Sequence, residues 1–133
     1  MKRSFIDAGV LIAAARGTHA VSVSAMQILS DPDRTFLSSL YVRLEVQPKP
    51  VYFKQEAEQL FYESYFAAVG EFSPLVGLPE QAIIIAYRFG LSAIDALHVA
   101  AAEALGADEL VTTERPGKSL LRVTTLPILS IYP

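Results

Sequence analysis

The sequence predicts an α/β fold with a mainly parallel central sheet. Short apolar segments of strand composition alternate with longer segments whose apolar residues repeat at helical spacing. Residues that favour helix N-caps stand where several predicted helices begin, and glycine stands where two of them end. Because 133 residues suit one domain with a real core, we expect a single domain over residues 1–133.

The first half of the chain alternates strand and helix patterns. Thr18 is a candidate N-cap, and either Ser38 or Ser39 could cap the helix that follows the second strand. The prolines of QPKP end that helix, and the DPD turn ends the helix before it. The predicted elements are a strand at 3–7, helices at 9–15 and 18–31, a strand at 34–39 and a helix at 40–46.

The second half continues the same alternation. A long aromatic-rich helix comes first, and Gly90 and Gly106 stop the next two helices. The predicted elements are helices at 52–69, 78–90 and 92–106, and strands at 109–113 and 126–132. In a parallel sheet of this kind, ligands gather at the carboxyl ends of the strands, near the switch point of the strand order.

Composition excludes several classes of protein. The net charge of −3 argues against general polyanion binding, although a local nucleic-acid site remains open. The absence of cysteine excludes disulfides, thiolate metal sites and a cysteine nucleophile. No apolar run reaches the length of a membrane span, and Asp7 interrupts the apolar N-terminal run. We therefore expect a cytoplasmic protein, and an apolar content of 52% suggests a protein partner.

Four of the 14 acidic residues stand in unusual surroundings. Asp7 ends the first predicted strand, and Glu114 ends the strand ELVTT. Glu45 lies in the helix LYVRLEV, and Asp95 lies near the start of the apolar helix SAIDALHVAAA. We expect the others to be solvated where their neighbours are polar or in loops, as for Glu56, Glu58, Glu63, Glu80, Glu103, Asp108 and Glu109.

Strand ends and helix starts share one edge of a parallel sheet, so these four carboxylates are expected to meet there. Carboxylates so close repel each other unless some of them take up protons or a cation neutralises them. Oxygen ligands without cysteine or clustered histidine favour Mg²⁺ or Mn²⁺ over zinc. Such a site activates water and stabilises charge on a phosphate.

Each acid also has a simpler explanation. Asp7 could simply cap the following helix, and Glu45 could simply pair with Arg43 or with a neighbouring chain. Asp95 could simply stabilise its helix through the helix dipole, and Glu114 could simply be a solvated acid in a loop. The combination of all four in this strand and helix context favours a site.

These segments resemble PIN-domain ribonucleases of the kind found as toxins in VapBC toxin–antitoxin pairs. The resemblance covers essentially the whole chain and is most specific in SAIDALHVAAAEALGADELVTTER. It implies a three-layer α/β/α sandwich and metal-dependent hydrolysis of RNA phosphodiesters. Asp7, Glu45, Asp95 and Glu114 match the metal-binding, catalytic carboxylates of the family. Segments such as DAGVLIAAARG and EVQPKP are similar to a cyanobacterial group of PIN proteins.

The resemblance also implies partners. Family members commonly form homodimers, and an antitoxin segment lies in an adjacent groove. An aromatic stripe in the long helix is either core packing or part of such a partner surface. It comprises Phe53, Phe61, Tyr62, Tyr65 and Phe66.

Several other residues are candidates near the acids. His98 lies one helical turn beyond Asp95, and we expect it to be a core histidine or one that supports a metal ligand. Thr112 and Thr113 could hydrogen-bond to the site or only favour the strand, and the resemblance favours Thr112 for the site. Phosphate-binding candidates are Arg16, Arg43, Arg115 and Lys118, for which solvated charge is an equal alternative.

The chain departs from the family pattern at two places. Many members have a polar residue two places after the first acid, where this chain has Gly9. Glu114 stands where aspartate is commoner, and RPGK follows it. These departures motivate an alternative function, a nucleic-acid-binding or regulatory module with little nuclease turnover.

Overall fold

The computed structural model describes residues 1–17 and 20–133. It confirms the predicted fold class, a three-layer α/β/α sandwich around a parallel sheet. The elements are β1 (Lys2–Ile6), α1 (Ala8–Arg16), α2 (Ser22–Leu29), β2 (Arg34–Ser38), α3 (Leu40–Val46), α4 (Pro48–Tyr52), α5 (Glu56–Ala68), β3 (Glu71–Phe72), α6 (Leu78–Phe89), α7 (Ala93–Ala104), β4 (Glu109–Thr112), a 3₁₀ turn (Ser119–Arg122) and β5 (Ile128–Ser130).

The sheet is centred on the first strand of the chain. Its order is β3-β2-β1-β4-β5, and every pairing between the described strands is parallel. Phe5 and Ile6 of β1 are fully buried, as are Leu110 and Val111 of β4, since helices cover both faces of the sheet. The strand order reverses between β1 and β4, so the crevice outside their carboxyl ends is the expected ligand site.

Short polar side chains begin the helices that carry the acids. Asp7 caps α1 by accepting a hydrogen bond from the Ala8 N–H. Ser39 caps α3, which settles the choice between Ser38 and Ser39. Ser92 caps α7. The predicted N-cap at Thr18 lies outside the described residues.

The segment after α3 differs from the prediction. QPKP does end α3, but Pro48 then begins the separate short helix α4, because proline fits the first turn of a helix. The long helix starts at Glu56 rather than Tyr52, after Lys54 adopts a left-handed conformation with φ of 55°. The stripe on α5 is mainly core packing, with Tyr62 fully buried and Phe66 nearly so.

Glu109 is not solvated as the sequence suggested. It is buried at the amino end of β4, and its Oε2 accepts hydrogen bonds from Ser4 Oγ at 2.6 Å and Arg34 Nε at 3.2 Å. Arg34 also pairs with Asp31 at 2.8 Å, and Lys2 Nζ lies 3.4 Å from Glu109 Oε1. β2 and β4 both flank β1, so this charge network spans three strands.

Among the described helices, none is both long and apolar enough to cross a membrane alone. α6 and α7 meet that description only as a pair, which is bent by 112°.

Candidate metal centre

Asp7 is held at the carboxyl end of β1 by two hydrogen bonds. Its Oδ1 accepts from the Ala8 N–H at 2.8 Å, and its Oδ2 accepts from Thr112 Oγ1 at 2.8 Å. Only 9% of the residue is exposed. The N-cap and the strand end therefore fix the carboxylate at the switch point of the sheet.

Two helices bring further groups to Asp7. Glu45 on α3 hydrogen-bonds through Oε1 to Nε2 of His98 on α7, and that nitrogen lies 3.9 Å from Asp7 Oδ1. One ligand atom from each of Asp7, Glu45 and His98 lies within 4.8 Å of the other two. The three groups are far apart in sequence, so the fold builds this cluster.

Asp95 belongs to the same electrostatic neighbourhood. It lies in the first turn of α7, one turn before His98, and is half-buried. Burial raises the pKa of Asp95, and the nearby charge of Asp7 raises it further. Burial also raises the pKa of Asp7, partly offset by His98 and the Thr112 hydrogen bond. A divalent cation would offset the burial of the two carboxylates and the repulsion between them, so the acids fit a hard metal ion.

The His98 ring is oriented to support Glu45. Its Nδ1 is buried and has no hydrogen-bond partner among the described residues. A histidine that binds a metal usually donates its second ring N–H to an acceptor, which Nδ1 does not have. A proton on Nε2, donated to Glu45, avoids burying an unpaired N–H. His98 in this form fixes the position of Glu45.

The remaining predicted residues lie at different distances from the cluster. Glu114 is half-buried, and its backbone N–H donates to Thr112 Oγ1 at 3.2 Å. Neither Asp95 nor Glu114 belongs to the three-residue cluster described above. Their role as metal ligands stays a prediction.

Of the candidate phosphate-binding residues, two contact other side chains and two are exposed in a loop. Arg43 Nε donates to Gln47 at 2.7 Å, and its guanidinium lies 5.6 Å from the centre of the Phe66 ring. Arg115 and Lys118 are exposed in the loop after β4. Arg16 lies 3.5 Å from Glu58. Phosphate binding by these four residues stays a prediction.

Because the pKa of Asp95 is raised in the folded protein, the stability of the fold should depend on pH. Folded Asp95 holds its proton to higher pH than unfolded Asp95, so its contribution to stability is lost as pH rises through the folded pKa. We expect Asp95→Asn to unfold at a higher temperature than the wild type at pH 7.5 in EDTA. The difference should shrink toward pH 4. A difference that does not change with pH would contradict the assigned cause.

Comparison with known families identifies the chain. Residues 4–115 match the PIN domain family, a span that includes Asp7, Glu45, Asp95 and Glu114. The chain belongs to the PIN domain family. None of the curated proteins compared with it matches.

Solved structures share the PIN fold of this chain at low sequence identity. VapBC2 from Rickettsia felis, in a structure bound to promoter DNA, has a TM-score of 0.71 at 17% identity, covering 95% of this chain and 96% of that chain. VapBC-1 from Haemophilus influenzae has a TM-score of 0.64 at 13% identity, covering 97% and 98%. VapC20 from Mycobacterium tuberculosis, described as a Sarcin-Ricin loop cleaving toxin, has a TM-score of 0.58 at 18% identity, covering 80% and 86%.

Proposed function

We propose that this PIN-domain protein is a metal-dependent endoribonuclease and the toxin of a VapBC-type pair. The observation that carries the proposal is the convergence of Asp7 and Glu45, with Asp95 beside them, at the switch point of the sheet. Buried acids that disfavour their own charge are typical of a functional site. The family match and the VapBC structures with the same fold support this assignment.

In the proposed site Asp7, Glu45, Asp95 and Glu114 hold Mg²⁺ or Mn²⁺. Carboxylate oxygens are the ligands that both ions prefer. When bound, the cation activates a water nucleophile and stabilises the charge on the phosphodiester. Thr112 orients Asp7 through its hydrogen bond, and His98 keeps Glu45 turned toward the cluster. Arg115 and Lys118 would bind the RNA backbone.

Cleavage of RNA in the presence of defined cations tests the proposal. Purified protein is incubated with structured and single-stranded RNA in Mn²⁺, Mg²⁺ or EDTA. We expect cleavage only with a cation, and none by Asp95→Asn, because that change removes a negative ligand. Glu63→Gln on the exposed side of α5 is the matched control and should cleave normally. Equal behaviour of the wild type and Asp95→Asn at every cation concentration would refute the catalytic assignment.

The alternative is a PIN-domain module that binds nucleic acid with little turnover. Gly9 and the RPGK segment after Glu114 favour it, because both depart from the pattern of many PIN-domain ribonucleases that the sequence resembles. RNA binding that is metal-dependent but leaves the RNA intact would support this function over the nuclease.

The proposed partners are a second copy of the chain and an antitoxin. Leu44 and Tyr52, on α3 and α4, are 66% and 78% exposed, and Ile84 and Tyr87 on α6 are 58% and 85% exposed. Exposed apolar surface of this kind favours protein contacts. Several structures with the same fold are VapBC complexes. Light scattering tests the homodimer, since a mass near 14.5 kDa would exclude it.

A further inference from the structure

Gly9 and Thr113 are packed so closely that any side chain at position 9 would force Thr113 to move. Gly9 lies in the first turn of α1 with an ordinary helical φ, so the backbone itself does not require glycine. A Cβ built there would lie under 3.0 Å from Thr113 Oγ1, a separation that real Cβ atoms do not show. The hydroxyl of Thr113 therefore occupies the space that a side chain at position 9 would fill.

This space lies over the helical turn that directly follows Asp7. Side chains on a helix tilt toward its N-terminus, and the N-terminus of α1 is the end that Asp7 caps. Thr113 follows Thr112, whose hydroxyl already binds Asp7 Oδ2. The Thr112 hydroxyl thus lies at the Asp7 carboxylate, and the Thr113 hydroxyl lies over the first turn of α1.

The Thr113 hydroxyl is free to bind a ligand. The residue is half-buried, and its hydroxyl makes no hydrogen bond to any residue that the structure describes. Packing alone would be served equally well by valine, which has the same shape and also favours extended backbone. A free hydroxyl in this position has a donor and an acceptor to offer to water or to a substrate oxygen.

We propose that Thr113 is a positioning residue of the metal centre, whose hydroxyl binds a water ligand of the cation held by Asp7. It supplies, from the residue directly after β4, a polar group that Gly9 does not provide from α1. This inference rests on the proposed metal-dependent function. It assigns a role to the glycine as well, because Gly9 leaves room for the hydroxyl.

Binding of Mn²⁺ alone, measured by calorimetry in the absence of RNA, tests the inference. Thr113→Val keeps the shape and removes the hydroxyl, and we expect it to weaken Mn²⁺ binding roughly fivefold, the effect of one hydrogen bond. Thr113→Ser should bind within about twofold of the wild type. Thr124→Val, at an exposed threonine, is the matched control and should bind normally.

Moving the hydroxyl from position 113 to position 9 tests the inference with a second pair of variants. Gly9→Ser alone should lower the unfolding temperature, because its Cβ clashes with Thr113. Gly9→Ser combined with Thr113→Ala removes that clash and returns a hydroxyl to the same space. We expect the double variant to recover both the unfolding temperature and most of the Mn²⁺ affinity.

The outcomes separate this inference from the proposed function. Wild-type protein that binds no Mn²⁺ would overturn both. Normal Mn²⁺ binding by the wild type and by Thr113→Val would overturn only the role of Thr113. A loss in Thr113→Ser equal to that in Thr113→Val would show that the effect does not depend on the hydroxyl, which serine keeps, and would also overturn it.

Discussion

Asp7→Asn should abolish Mn²⁺ binding and lower RNA cleavage by roughly a hundredfold or more. Asparagine keeps the N-cap of α1 through its carbonyl oxygen, and its amide group then faces Thr112 as a donor in place of the second carboxylate oxygen. It removes the charge of the most buried carboxylate in the cluster. A catalytic cation is worth several kcal/mol of transition-state stabilisation, and about 1.4 kcal/mol corresponds to a tenfold change in rate.

A comparison with Glu114→Gln makes this prediction sharper. Glu114 follows β4 at the same edge of the sheet. It lies outside the cluster formed by Asp7, Glu45 and His98. We expect Glu114→Gln to reduce cleavage less than Asp7→Asn does, and to leave measurable Mn²⁺ binding. Initial rates and calorimetry on both variants give the ranking. Loss of binding in Glu114→Gln with full binding in Asp7→Asn would reverse our assignment of the main ligand.

Glu109→Ala should destabilise the fold by about 3 kcal/mol. The change leaves Arg34, whose side chain is only 13% exposed, without its buried partner, and it leaves Ser4 without an acceptor. Asp31 still pairs with Arg34, so the loss lies at the low end for broken buried ion pairs. For a chain of this size, we expect a fall of roughly 10 °C in unfolding temperature.

Two further variants identify the cause. Glu63→Ala, at an exposed site on α5, should change stability by less than about 0.5 kcal/mol. Arg34→Met combined with Glu109→Leu removes both charges and should recover much of the stability lost by Glu109→Ala. Denaturation of the four proteins by urea measures these differences. A double variant no more stable than Glu109→Ala would show that the unpaired arginine is not the source of the loss.

Local patterns in the sequence account for the parts of the fold that were predicted. Helix periodicity and caps such as Ser39 and Ser92 depend on neighbours within a few residues, so they can be recognised along the chain. The acids that end strands were predicted for the same reason. Parallel topology then places the strand ends together, as Asp7 and Thr112 illustrate.

The features that were not predicted depend on distant residues. Glu109 begins β4 directly after the polar residue Asp108, and no residue near it in sequence indicates its contact with Arg34. The contact between Glu45 and His98 joins residues 53 positions apart on two helices. β3 has only two residues, which is too short to give a pattern, and it is defined by its pairing with β2.

The central position of β1 in the sheet has a consequence for the order in which the protein folds during synthesis. The central strand is made first, yet its partner β4 is separated from it by 105 residues, as the Ser4–Glu109 pair shows. Pairing over so long a loop is slow compared with local helix formation. During synthesis Asp7 is made long before Thr112, so the hydrogen bond between their side chains cannot form until β4 has been translated.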